Sequence, residues 1–93
     1  MLERTSDQIS FIEMVKSFPN LSGYWDFDAW AIRKESIEDD FSALSSGEQV
    51  LLTFFVSVWF GRNENFDITR AAGVLSNDNK HIIIEWFLNP YWP

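Results

Sequence analysis

The residues of this sequence with the strongest potential for chemistry are carboxylates, and six of them fall between positions 26 and 40. They are Asp26, Asp28, Glu35, Glu38, Asp39 and Asp40. On a helix, Asp28, Glu35 and Asp39 share one face because they lie seven and four residues apart. Catalysis by paired carboxylates requires surroundings that separate their pKa values, and no pattern here buries one of these acids. The cluster is therefore interpreted either as a solvated helix face or as a surface that binds a basic partner.

Other residues that catalyse reactions or bind metals are scarce. The chain has no Cys and one His, His81, which excludes disulfides, thiolate metal ligands and two-histidine metal sites. No Ser lies in a Gly-x-Ser-x-Gly turn, the usual setting of a nucleophilic serine. We expect His81 to be a surface or boundary side chain. The sequence therefore predicts a protein that is not an enzyme and that uses no cofactor and no metal.

The segment from Leu44 to Gln49, Leu-Ser-Ser-Gly-Glu-Gln, resembles the signature motif of ABC-type and SMC-like ATPases. In those enzymes a serine and a glycine at a helix start face the nucleotide phosphates. They also need a P-loop, but G-x-x-x-x-G-K-[ST] occurs nowhere in this chain, and the Walker B aspartate position is Ile84. Ser45 and Glu48 fit a capping box instead, so the segment predicts a helix start.

Apolar spacing and capping residues predict about five helices. The first begins at the Thr5–Gln8 capping box and ends before Pro19. The third covers residues 47–60 and is predicted to be central, because nine of the eleven residues from Val50 to Phe60 are apolar. Asp67 is the predicted cap of a fourth helix.

The fifth helix is predicted to begin at Ser76 and to end at Asn89–Pro90. Its main apolar face is assigned to Ile82, Ile83, Trp86 and Phe87, with Ile84 and Leu88 beside that face.

The second helix carries most of the carboxylates and is predicted over about Phe27 to Leu44, with Asp26 as its N-cap. Its apolar residues recur at steps of three and four, with Lys34 as the one exception: Phe27, Trp30, Lys34, Ile37, Phe41 and Leu44. The alternative is a short strand within 24–32, where aromatic residues cluster. The chain is thus predicted to be a single all-α domain over residues 1–93, or alternatively an α+β domain.

The aromatic content is high, with 9 Phe, 5 Trp and 2 Tyr, and a chain of 93 residues cannot bury all of these rings. Trp25, Tyr91 and Trp92 fall at the ends of the predicted elements or outside them. They are interpreted either as exposed rings that bind a partner or as rings that cover the core.

The net charge of −7 disfavours direct contact with nucleic acids or anionic membranes and favours a basic protein as partner. The first seven residues lack a signal peptide's pattern, and no apolar stretch is long enough to cross a bilayer, so we expect a cytoplasmic protein.

In size, charge and composition the chain resembles toxin-neutralising immunity proteins, antitoxins and the small anti-defence inhibitors of phages. That resemblance implies a non-catalytic protein that inhibits a basic partner, such as a nuclease or a nucleic-acid-binding protein, and includes a partial mimic of DNA. The expected contact residues are Trp25, Asp26, Asp28, Glu35, Glu38, Asp39, Asp40, Tyr91 and Trp92. The alternative is an assembly subunit that forms a homodimer or larger complex through the aromatic segment Tyr91–Pro93.

Overall fold

The computed structural model describes residues 3–93, which are mostly helical with one small antiparallel sheet. Among these residues, no helix has the length and hydrophobicity needed to span a membrane. Trp25 pairs with Ile32 and Asp26 with Ala31 in the sheet. In chain order the elements are α1 (Ser6–Lys16), α2 (Pro19–Ser22), β1 (Trp25–Asp26), β2 (Ala31–Ile32), α3 (Lys34–Asp40), a 3₁₀ turn (Phe41–Ala43), α4 (Ser46–Phe60), α5 (Ile68–Val74) and α6 (Asn77–Leu88).

Four of the predicted helix starts are confirmed. Thr5 and Ser45 each form a complete capping box, in which the hydroxyl accepts from the backbone N–H three residues on and that residue's side chain accepts in return. Asp67 caps α5 through the backbone N–H of Arg70, and Ser76 caps α6 through that of Asn79. These bonds satisfy N–H groups that have no partner within the helix itself.

The predicted second helix over Phe27–Leu44 is wrong in its first half, where β1 and β2 form a hairpin. The Asp26 carboxylate accepts from the backbone N–H groups of Asp28 and Ala29, at 3.1 and 3.0 Å, as a helix N-cap would. The chain then turns back, because Trp30 adopts a left-handed conformation with φ of 55°. A helix begins only at Lys34, the residue that breaks the apolar pattern.

The core lies around α4, which contributes more buried side chains than any other described element: Val50, Leu51, Leu52, Phe54, Phe55 and Val58. Phe11 of α1 packs against Trp59 of α4 with ring centroids 5.6 Å apart, and Trp30 lies 4.9 Å from the same ring. The hairpin thus brings the rings of Trp25 and Trp30 onto Trp59 of α4.

Candidate functional site

The four carboxylates of α3 are all exposed but do not converge on one point. Glu35 and Asp39 lie one helical turn apart and share a face. Glu38 lies beside them and borders a groove between α3 and α4. Asp40 lies on the other side, where its Oδ2 accepts a hydrogen bond of 2.9 Å from the Tyr24 hydroxyl. The name α3 acidic surface is used below for Glu35, Glu38 and Asp39.

Within residues 3–93, no carboxylate of α3 forms an ion pair. The ion pairs in this part of the chain are Arg33 with Asp26 at 3.9 Å and Arg62 with Glu64 at 2.6 Å. The only cation on α3 itself, Lys34, lies over the ring of Phe60 instead, 5.9 Å from its centroid. The carboxylates of the α3 acidic surface are therefore not held in ion pairs by the described chain.

The hairpin separates two of the predicted contact residues from α3. Asp28 lies exposed in the turn between β1 and β2, so it does not share a helix face with Glu35 and Asp39 as predicted. Asp26 is half-buried, and both of its oxygens contact the described chain: Oδ1 holds the turn and Oδ2 faces Arg33. Asp26 therefore stabilises the hairpin locally, and its interpretation as a helix cap is corrected.

Trp25 is not a surface ring, because only 3% of it is exposed. Its indole packs edge-on against Phe11, at 5.7 Å between centroids, and against Trp59, at 6.3 Å. The interpretation of Trp25 as a partner-binding residue is therefore corrected to a core residue. Its Nε1–H is buried and has no acceptor among the described residues, an arrangement that costs free energy in a folded protein.

The two predicted contact residues of the C-terminal segment differ from each other. Tyr91 is half-buried, and its hydroxyl lies 3.3 Å from both the carbonyl oxygen of Ser10 and the sulfur of Met14. Burial raises the pKa of Tyr91 to about 12, and the nearby Asp7 and Glu13 carboxylates add to the effect. Trp92 is 57% exposed and available to a partner.

The groove beside the α3 acidic surface has a volume of about 470 Å³ and was not anticipated from the sequence. Its apolar lining comes from β2, α3, the 3₁₀ turn and α4, and includes Ile32, Ile37, Phe41, Val56 and Phe60. Ile37 and Phe41 were predicted as core positions, and they do pack against the core while leaving one side open to the groove. The apolar periodicity of α3 indicates that these residues share an apolar face. It does not indicate whether other side chains cover that face or leave it open.

The charged residues around this groove are three acids and two bases. Glu38 has no hydrogen-bond or ion-pair partner among residues 3–93, whereas Glu64 is paired with Arg62. Arg70 donates to the Gln49 amide oxygen at 2.8 Å, and Asp67 caps α5. Glu38 is thus the acid at the groove with the greatest freedom to meet a cation from another molecule.

The described residues contain no group of three or more His, Asp and Glu side chains placed to hold a metal ion. His81 is exposed on α6, as expected from the sequence.

Comparisons with protein-family models, with curated proteins and with solved structures return no match for this chain.

Proposed function

We propose that this chain is a non-catalytic cytoplasmic binding protein, a single domain with its helices packed around α4, that inhibits a basic protein partner. The observation that carries the proposal is the α3 acidic surface, whose carboxylates are exposed and form no ion pair within residues 3–93. Exposed, uncompensated charge of one sign speeds encounter with a partner of the opposite sign.

The groove next to this surface supports a protein as the partner. Protein interfaces combine an apolar pocket, which accepts an anchoring side chain, with a polar rim that sets orientation. Here Ile37, Val56 and Phe60 line the apolar part and Glu38 borders it. A partner segment with one large apolar side chain near a Lys or Arg would satisfy both features at once.

The length of α3 limits how far the protein can imitate DNA. Seven residues span about 10 Å of helix axis, whereas phosphates of one DNA strand follow each other at about 3.4 Å along the axis. The α3 acidic surface therefore matches only about three phosphates of one strand. A nuclease or nucleic-acid-binding protein fits as the partner if the α3 acidic surface covers a small basic patch on it rather than a long nucleic-acid-binding channel.

The experiment compares two variants that lose the same charge at different places. Glu35→Gln with Asp39→Asn removes two charges from the α3 acidic surface, and Glu3→Gln with Glu13→Gln removes two from exposed positions elsewhere. Wild type and both variants are used to capture partners from the native host, and affinity for the recovered protein is then measured. We expect a basic partner whose affinity falls at least about tenfold, or 1.4 kcal/mol, with the α3 variant only.

Equal affinity of the two variants for the recovered partner would show that α3 is not the contact surface. Recovery of an acidic or neutral partner would contradict the electrostatic basis of the proposal.

A further inference from the structure

The outward side of α6 carries large apolar side chains that the described chain does not cover. Ile84, Phe87 and Leu88 are 47%, 65% and 73% exposed, respectively. They lie three and four residues apart, so they form one stripe along the helix. Sequence periodicity assigned Phe87 to the buried face, but that face is formed by Ile83 with Ile82 and Trp86. α6 is therefore apolar on two sides, of which one meets the core.

Trp92 lies beyond the end of α6 and is linked to the stripe residue Phe87 through the ring of Trp86. The Trp86 ring stacks on the ring of Phe87, with 6.1 Å between centroids, and meets the ring of Trp92 edge-on at 5.8 Å. The Trp86 indole N–H also donates to the carbonyl oxygen of Tyr91, at 3.0 Å, which fixes the chain next to Trp92. The name α6 apolar patch is used below for Ile84, Phe87, Leu88 and Trp92.

The α6 apolar patch has the apolar area that a small dimer interface needs. Since large aromatic side chains bury about 150–250 Å² each, the exposed fractions of the four residues correspond to roughly 400–500 Å² of apolar surface. A standard interface buries about 800 Å² per partner, and about 65% of the area is apolar in homodimers. The patch thus accounts for most of the apolar part of such an interface.

The charges on α6 also permit contact between two copies of this acidic chain. α6 carries two acids, Asp78 and Glu85, against Lys80, whereas the shorter α3 carries four acids against one lysine. Two chains of net charge −7 repel each other least where acids and bases are nearly balanced. A stripe on a single helix can also pair with itself about a two-fold axis, with the helices antiparallel.

We propose that the α6 apolar patch is the interface of a homodimer. The dimer is held by apolar contact between the two copies of α6 and Trp92, and each copy keeps its own α3 acidic surface for a partner. Tyr91 does not belong to this interface, because its hydroxyl is directed to α1. The inference is independent of the proposed function, since a monomeric protein could still bind through α3.

The test is sedimentation velocity of the full chain at protein concentrations up to about 100 µM. It compares two variants that carry the same substitution at side chains with similar exposed fractions. Ile84 in the patch and Ile9 on α1 are 47% and 46% exposed, so Ile84→Glu and Ile9→Glu make the same change at similar surfaces. We expect the wild type and Ile9→Glu to reach twice the 10.9 kDa mass of the chain. Ile84→Glu should raise the dimer dissociation constant at least about tenfold.

Leu88→Glu provides a second variant, because Leu88 is the most exposed residue of the patch. Circular dichroism confirms that each variant is folded before its mass is interpreted. A wild type that stays at 10.9 kDa at every concentration would overturn the inference. So would a dimer that survives both patch substitutions, a dimer that Ile9→Glu disrupts equally, or a series of masses above the dimer, which indicates an open assembly.

Discussion

The hydroxyl of Tyr91 lies 3.3 Å from the backbone carbonyl oxygen of Ser10, so the last residues of the chain are held against its first helix. This contact joins residues 81 positions apart in sequence and leaves Trp92, the next residue, exposed. The aromatic segment that looked uniform in the sequence is therefore divided between a structural residue and a surface residue.

The first prediction concerns the ionisation of Tyr91. Burial raises its pKa to about 12 from the ordinary value of 10.0, so the folded state keeps a proton that the unfolded chain releases. Its contribution to stability is therefore present below pH 10 and lost as the pH rises from about 10 to about 12. The chain has only two tyrosines, so the variant Tyr24→Phe isolates Tyr91 in an ultraviolet titration of tyrosinate. A midpoint near 10 in the folded variant would refute the buried position of the phenol.

The second prediction concerns Trp25. Trp25→Ala should lower the free energy of unfolding by about 3–5 kcal/mol, because it leaves a cavity between Phe11 and Trp59. Trp25→Phe should cost clearly less, because it keeps an aromatic ring. It also removes the buried N–H that has no acceptor, and such an unpaired group destabilises the folded state by about 1–3 kcal/mol. Urea unfolding of the two variants measures both values. Equal losses would contradict both reasons given for the expected difference.

The third prediction concerns the capping box of α4. Ser45→Ala should lower the free energy of unfolding by about 1 kcal/mol, because it leaves the backbone N–H of Glu48 without its acceptor. The backbone N–H and hydroxyl of Ser45 lower the pKa of Glu48, so the variant should raise that pKa in an NMR titration. The pKa of Glu48 is lowered in the folded state. The contribution of Glu48 to folding stability is therefore fully present at pH values above its ordinary pKa, and it is lost as the pH falls through the lowered pKa. An unchanged Glu48 titration would contradict the reciprocal cap.

The fourth prediction concerns the groove between α3 and α4. Val56→Trp places a large ring in the groove without changing the charge, and it should weaken binding of the captured partner at least about tenfold. Val74→Trp on α5 is the matched control, since Val74 is 41% exposed and does not line the groove. Unaltered binding by Val56→Trp, with loss in the α3 charge variant, would restrict the interface to the carboxylates.

Local signals in the sequence identified the helix starts because each depends on a few neighbouring residues. Ser45 with Glu48, and Asp67 with Arg70, make their bonds within one turn. Asp26 shows where such signals are insufficient, because its carboxylate makes the same two bonds in a hairpin turn as in a helix start. The packing of Trp30 on Trp59, 29 positions away, accompanies the hairpin, and no local pattern contains that contact.

The surfaces were harder to predict than the helices. The acids of α3 were identified by composition, but the groove beside them requires Ile37 and Val56 to face each other across two elements. The exposure of Phe87 likewise depends on which side of α6 meets α4. The sequence of α6 contains two adjoining apolar runs, Ile82–Ile84 and Trp86–Leu88. These runs indicate that α6 has more apolar side chains than one buried helix face can hold.

The proposal that the α3 acidic surface attracts a basic partner is tested most directly by the association rate with the captured partner as salt is varied. Salt screens exposed charges over about 10 Å at 0.1 M. The wild-type association rate is expected to fall as the salt concentration rises. In the Glu35→Gln, Asp39→Asn variant the rate should be lower at low salt and less dependent on salt, whereas Glu3→Gln, Glu13→Gln should behave like the wild type. The same salt dependence in all three proteins would contradict the claim.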